Sequence, residues 1–232
     1  MQLLIIRHGD PNYVNDSLTE AGQAEAGALA GYLAWVGIDR LYSSPLGRAR
    51  ETTEAAARGL GIAYELLDWT RELKGPRLKG THNPAWDIGG SDVRVENYLN
   101  EPNRWELLDD YIDAAELRQV YTEVVRGSDE FLAGLGYQRE GPRYRVTRSN
   151  PEKVAVVCHG GFGLTWLAHL LAIPLPLVYG TFFIQTTSIT TLLFEERSPG
   201  SACPRCLGFG ALPHLYHANL RPLYSWLLAN ID

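Results

Sequence analysis

The sequence predicts an α/β protein of three layers, with helices on both faces of a mostly parallel central sheet, and three observations lead there. Residues 3–6 and 154–157 are short runs with no polar alternation, as strands covered on both faces must be. A glycine-containing loop and then a helical pattern follow each run. Strand and helix signals alternate as βαβαβ through the first 67 residues, the rhythm that builds a parallel sheet.

In chain order, residues 3–6 are the first strand. Ser17, with Glu20 three positions on, has the form of a capping box, and opens a helix that carries Leu18, Ala21, Ala28, Leu29, Tyr32 and Leu33 and stops near Gly37. Residues 40–43 are a second strand. Pro45 stands where a first-turn proline belongs, ahead of a helix over 46–60 that Gly59 and Gly61 end. Residues 63–67 are a third strand. The stretch 74–150 departs in composition, being rich in Gly, Pro, Asn, Trp and Arg, with a helical pattern over 105–132 and no second set of hydrophobic strands. It reads as an insertion capping the site within a single domain of residues 1–232. The sheet resumes at 153–158, a helix follows over 163–172, and a strand at 186–195 pairs with 203–209 across Ser198-Pro199-Gly200. Residues 222–229 form a terminal helix.

Composition limits the function classes. The chain has 232 residues, 45% hydrophobic and 21% charged, with 21 Lys plus Arg against 27 Asp plus Glu for a formal net charge of −6. A chain of this length buries about 70% of its unfolded surface, which is enough for one stable soluble domain. Its net negative field repels nucleic acid and anionic membranes, so neither is an expected partner. The most apolar window, 162–180, is broken by His169, Pro174 and Pro176 and reads as a buried helix rather than a membrane span. Cys158, Cys203 and Cys206 are too few for a disulfide framework, and the apolar start is too short for a signal peptide, so the expected compartment is the cytoplasm. An anionic substrate must then be held by a local cluster of positive charge.

The histidines and arginines fall where such a cluster would form. Arg7-His8-Gly9 follows the first strand and His159-Gly160-Gly161 follows the strand at 153–158. Strand carboxyl ends in an open parallel sheet face the ligand crevice, so both histidines belong to one rim. Arg48 lies in the first turns of a helix that starts after Ser43-Ser44 and reaches the same rim. Two arginines, two histidines and a helix N-terminus make a phosphate site. Arg50, two positions on, faces away.

Four segments in this order resemble the histidine phosphatase superfamily, also called phosphoglycerate mutase-like: Arg7-His8-Gly9; Ser43-Ser44-Pro45-Leu46-Gly47-Arg48-Ala49-Arg50-Glu51-Thr52; Arg71-Glu72-Leu73 with Gly80; and His159-Gly160-Gly161. The resemblance implies that His8 is the nucleophile of a phosphohistidine intermediate, with Arg7, Arg48, His159 and Gly160 binding phosphate. It implies a metal-independent phosphohydrolase of a small phosphorylated substrate, with no cofactor. Arginine charge beside His8 also disfavours its protonation, which suits a nucleophile. Glu72 is the favoured general acid and Asp10 its competitor; nearby arginines lower a carboxyl pKa, whereas burial and a bound dianion raise it.

Other residues carry weaker expectations. Asn15 is a further phosphate contact from the first loop, and His82 faces either the leaving group or solvent. Trp69, Trp86, Trp105, Arg77 and Arg94 are expected to close over the leaving group. Cys203, Cys206, His214 and His217 superficially offer zinc ligands at unsuitable spacing, and no metal is expected. His214-Leu215 resembles a structural His-Leu of the family. Cys158 lacks the arginine a cysteine phosphatase loop needs, position 164 being Leu. A cofactor-dependent mutase is the rival reading, weakened because Asp10-Pro11-Asn12-Tyr13-Val14-Asn15 stands where the mutases carry Glu-Ser and Trp-Asn. A phosphate-binding module without turnover is a second rival, and a homodimer is left open.

Overall fold

The computed structural model describes residues 1–222. Beyond Pro222, the terminal helix expected over 222–229 lies outside the described residues.

The chain runs β1 (Gln2–Arg7), β2 (Pro11–Asn12), β3 (Ser17–Leu18), α1 (Glu20–Val36), β4 (Arg40–Ser43), α2 (Gly47–Leu60) and β5 (Tyr64–Leu66). Irregular chain with short helices α3 (Gly90–Val93) and α4 (Glu96–Asn100) leads to α5 (Ala114–Gly134). A hairpin of β6 (Tyr137–Glu140) and β7 (Arg143–Val146) precedes β8 (Lys153–Cys158), α6 (Gly160–Leu171) and α7 (Leu175–Tyr179). Then come β9 (Ile189–Ser198), β10 (Ser201–Ala211) and α8 (Pro213–His217).

One sheet orders its strands β5-β4-β8-β1-β9-β10-β7-β6. From β5 to β1 the pairing is parallel, and from β1 outward to β6 it is antiparallel. β1 is central, with Ile5 opposite both Val156 and Thr190. Its alternate side chains serve two cores. Leu4 and Ile6 pack with Leu29, Leu33, Ala49 and Ala56 of α1 and α2. Leu3 and Ile5 face the other way, toward Val124 and Leu132 of α5 and Phe162, Trp166 and Leu170 of α6. Period-2 alternation with apolar residues at both phases thus produces the three layers. Among the described residues no helix is long and apolar enough to cross a membrane.

Several local expectations change. Thr19, not Ser17, caps α1: its side chain accepts from Gly22 N, and its hydroxyl donates to Asp10 Oδ2 at 2.6 Å. Ser17 and Leu18 are instead strand, paired with Asn12 and Pro11. Pro45 precedes the capping residue Leu46 rather than occupying the first turn, and Gly61, left-handed at φ 68°, ends α2 alone. Helix α6 begins at Gly160, three residues before the expected start, so the glycines after His159 are its first turn.

The stretch 74–150 is not one insertion. Its last part, β6 and β7, extends the main sheet, and α5 supplies one wall of the core. The part before α5 gathers a core of its own, with Ala85, Ile88, Val93, Tyr98, Leu108 and Ile112 packed on Leu164, Ala168 and Val178. Trp69 stands in the main core, its ring 5.1 Å from Trp166 and 5.4 Å from Phe162.

Candidate active site

The site forms at the carboxyl ends of β1, β4 and β8. His8 follows β1 directly and is 1% exposed. Its backbone N–H donates to Cys158 O at 3.0 Å and its carbonyl accepts from Thr187 N at 3.1 Å, which fixes the loop to both neighbouring strand ends. The ring's Nδ1 lies 2.7 Å from the Gly9 carbonyl. A carbonyl only accepts, so Nδ1 carries the proton and Nε2 presents its lone pair. Gly9 and Gly22 let this loop press on α1: a Cβ on Gly9 would stand 2.7 Å from Gly22 O, and one on Gly22 would stand 2.2 Å from Asp10 O.

Arg48 meets that lone pair, its Nε–H donating to His8 Nε2 at 3.2 Å. Asp16 holds the same guanidinium by an ion pair to Nη1, while its other oxygen accepts from Gly47 N at 2.6 Å. Arg7 donates from Nη1 to Ile184 O at 2.7 Å and keeps its Nε buried without a partner. His159 is fully buried, tilted 5.1 Å from the His8 ring, with Nε2 2.7 Å from Ser44 Oγ and Nδ1 unpartnered. Two buried nitrogens without partners, on residues that flank the loop of His8, are atoms a bound phosphoryl group could satisfy. Burial chiefly, then the Arg7 and Arg48 charges, push His8 well below the usual histidine pKa, against the Gly9 carbonyl, which raises it. For His159, burial again leads, followed by His8, Arg48 and Arg7. Both rings are neutral at pH 7.

Glu72 reaches the cluster from the loop after the 3-10 turn Asp68–Thr70. Its Oε1 accepts from Phe162 N at 2.9 Å and Leu73 N at 3.0 Å, and its Oε2 from Gly161 N at 3.2 Å. Glu72 lines the cleft, and burial raises its pKa over the opposing pull of those three N–H groups and of Arg7. Burial therefore wins the contest that composition left open. Two N-terminal amides of α6 serve Glu72, and Gly160 remains on the cleft wall.

The cleft encloses about 520 Å³ and includes Arg7, Arg48, Glu72 and Gly160 together with Tyr13, Arg77, Trp86, Asp87 and Phe183. Trp86 lies so close to the start of α6 that a Cβ on Gly161 would stand 2.4 Å from its ring. A Cβ on Gly160 would meet Arg7 Nε at an ordinary 3.5 Å, so Gly161 is the glycine the packing requires. Of the aromatic and arginine residues expected over the leaving group, Trp86 and Arg77 line the cleft. Trp69 and Trp105 are packed in the two cores, and Arg94 donates to Thr181 Oγ1 at 3.3 Å.

Other expected contributors stand apart. Asn15 is exposed and turns its N–H toward Asn12 Oδ1; Asp16 is the residue of that loop which reaches Arg48. Asp10 accepts from Thr19 and donates its own N–H to Glu25 Oε2 at 2.9 Å, tying the loop to α1. His82 is exposed. Buried Cys158 has its thiol pushed up, by burial first, so it is no thiolate nucleophile. Cys203 and Cys206 are exposed on β10, and His214 spends Nε2 on Thr187 Oγ1 at 2.9 Å. Asp16, Asp87, Ser44 and Thr187 were missed by the sequence reading; Thr187 and Asp16 hold left-handed φ of 53° and 49°, which no sequence pattern there announces.

A family model described as the histidine phosphatase superfamily (branch 1) matches residues 3–203. The chain belongs to the histidine phosphatase superfamily. No curated protein matches the sequence of this superfamily member. Among solved structures, it is similar to the phosphoserine phosphatase of Entamoeba histolytica in complex with 3-phosphoglyceric acid, with TM-score 0.61, 21% identity and coverage of 92% of this chain and 98% of that one. A mycobacterial glucosyl-3-phosphoglycerate phosphatase with bound VO3 gives TM-score 0.59, 20% identity and coverage of 90% and 99%. Bacillus stearothermophilus YhfR gives 0.59, 22% identity, 92% and 98%. These likenesses establish the fold of this histidine phosphatase superfamily member.

Proposed function

We propose that the chain hydrolyses small phosphomonoesters through a phosphohistidine on His8. The observation that carries this reading is the His8 ring, neutral and buried, with Nδ1–H on Gly9 O, the Nε2 lone pair on Arg48 Nε and the His159 ring 5.1 Å away, while Arg7 Nε and His159 Nδ1 stay buried without partners. Superfamily membership supports it, and so do the names of the structural neighbours, which are phosphatases of small phosphate esters.

In the first step His8 Nε2 attacks phosphorus as the bond to the leaving oxygen breaks. Arg48 transfers its hydrogen bonding from Nε2 to a phosphoryl oxygen, Arg7 donates from Nε, and His159 donates from Nδ1 while its Nε2 accepts a hydrogen bond from the Ser44 hydroxyl. Protonated Glu72 gives its proton to the leaving oxygen. In the second step water attacks phosphorus, its proton goes to Glu72, and the P–N electron pair returns to Nε2.

His8→Ala is expected to abolish hydrolysis of p-nitrophenyl phosphate while the protein stays folded by circular dichroism. Acid-labile, alkali-stable phosphate trapped on wild type and absent from the variant supports the reading. Undiminished turnover in the variant overturns it.

A further inference from the structure

An exposed carboxylate, Asp87, stands on the wall of the cleft that holds Arg7 and Arg48. Asp87 ends the 3-10 turn Ala85–Asp87 and lines the cleft with Arg7, Arg48 and Glu72. The turn is held by Asp87 N–H on Pro84 O at 3.0 Å and by Trp86 packed against Gly161, so Asp87 is presented from a fixed wall. Its side chain makes no hydrogen bond or ion pair to the described residues. Burial raises its pKa and the Arg7 charge opposes that rise, which puts Asp87 within the field of the phosphate-binding arginine.

An unpaired carboxylate here repels a phosphate dianion, which no purely anionic or neutral leaving group would offset. A cationic leaving group removes the conflict: its ammonium donates to Asp87 while its phosphate lies on Arg7 and Arg48. Trp86, Tyr13 and Phe183 line the same walls, and the Tyr13 ring already carries a cation, the Arg48 guanidinium at 5.3 Å from its centroid. Arg77 lines the cleft too, with Nη1 donating to the His82 carbonyl, and supplies positive charge for a further carboxylate.

Resting on the phosphatase reading, we propose that Asp87 is a specificity-determining residue and that the substrates are phosphomonoesters of small amino alcohols, amino-acid side chains included. The test compares 2-aminoethyl phosphate with 2-hydroxyethyl phosphate, which differ only in the group offered to Asp87, and O-phosphoserine as the carboxylate-bearing probe. Wild type is expected to prefer the amine in kcat/KM by about tenfold, the size of one charge-assisted hydrogen bond. O-phosphoserine should exceed 2-aminoethyl phosphate, and that margin should fall in Arg77→Ala. In Asp87→Asn the amine preference should fall to near parity, mainly through KM, with the variant's folding checked by thermal unfolding. Asp87→Glu should keep the sign of the preference. Equal kcat/KM for amine and alcohol in wild type overturns the proposal, as does a preference unchanged in Asp87→Asn. His8-dependent turnover of p-nitrophenyl phosphate with neither alkyl probe also overturns it, leaving the phosphatase reading intact. Loss of that aryl phosphatase activity in wild type would instead be the failure of the underlying reading.

Discussion

The Gly9 carbonyl decides which nitrogen of His8 offers its lone pair, because it can only accept and so keeps the proton on Nδ1. The same burial that neutralises His8 raises Glu72, so the free protein holds a basic imidazole and a protonatable carboxyl side by side. A definite pH profile follows for kcat/KM. No acid limb from His8 is expected until well below pH 6.5, since its pKa is depressed, and the alkaline limb should report loss of the Glu72 proton above the ordinary carboxyl range. Glu72→Gln should remove that limb and slow poor leaving groups by roughly 10²–10⁴-fold, good ones less. A retained alkaline limb in the variant would transfer the acid role elsewhere. That Arg7, His8, Arg48 and His159 meet at one rim was legible in the sequence because each follows a strand or starts a helix that apolar runs announce, whereas Glu72, in a loop past the 3-10 turn Asp68–Thr70, came only from the family resemblance. Asp16 and Asp87 were not legible: what makes them matter is an ion pair to Arg48 and a place on the cleft wall, both set by tertiary packing.

At the scale of elements, α6 joins the two halves of the site. Its first amides hold Glu72, and its second residue, Gly161, seats Trp86. Gly161→Ala should displace Trp86 together with Asp87, destabilising the fold by about 1–3 kcal/mol. Gly160→Ala, which has room, should change stability by less than about 0.5 kcal/mol. Thermal unfolding of the pair checks this contrast; equal effects would refute the packing argument. The strands β6 and β7 escaped the sequence reading for a physical reason. They lie at the sheet edge, with Tyr137 and Tyr144 inward and Gln138, Glu140, Arg143 and Arg145 exposed, so their apolar count is low. Charged outer positions are how an edge avoids pairing with other chains. Thr19 displaced Ser17 as cap because pairing of Ser17 with Asn12 kept that residue in strand geometry.

For the whole molecule, buried neutral histidines couple stability to pH. His214 is 2% exposed and burial lowers its pKa to about 4. Its unfolded form protonates near 6.5, so between those values the unfolded state binds more protons and stability falls as pH falls. The contribution is roughly 3 kcal/mol when complete, near pH 4. Glu25 and Glu72, whose carboxyls burial raises, act in the opposite sense, losing stability as pH rises above about 4.5, the ordinary carboxyl value. The difference between wild type and His214→Gln isolates the histidine: urea unfolding should show wild type losing stability relative to the variant from pH 6.5 down to 4. Parallel curves would contradict the assignment.

The order of strands also fixes when the site comes into being during synthesis. β1, which leads to His8, leaves the ribosome before the strands it pairs with, since its two neighbours are β8 and β9, beginning at Lys153 and Ile189. Until those segments emerge, Leu3 to Ile6 have no lateral partners, and an apolar strand with both edges open invites association with other chains. Thr187, which holds the His8 carbonyl, is itself held by His214. A nascent chain that stops short of that histidine therefore carries the His8 imidazole without this support, and the His8 loop is braced only once the segment through His214 has emerged.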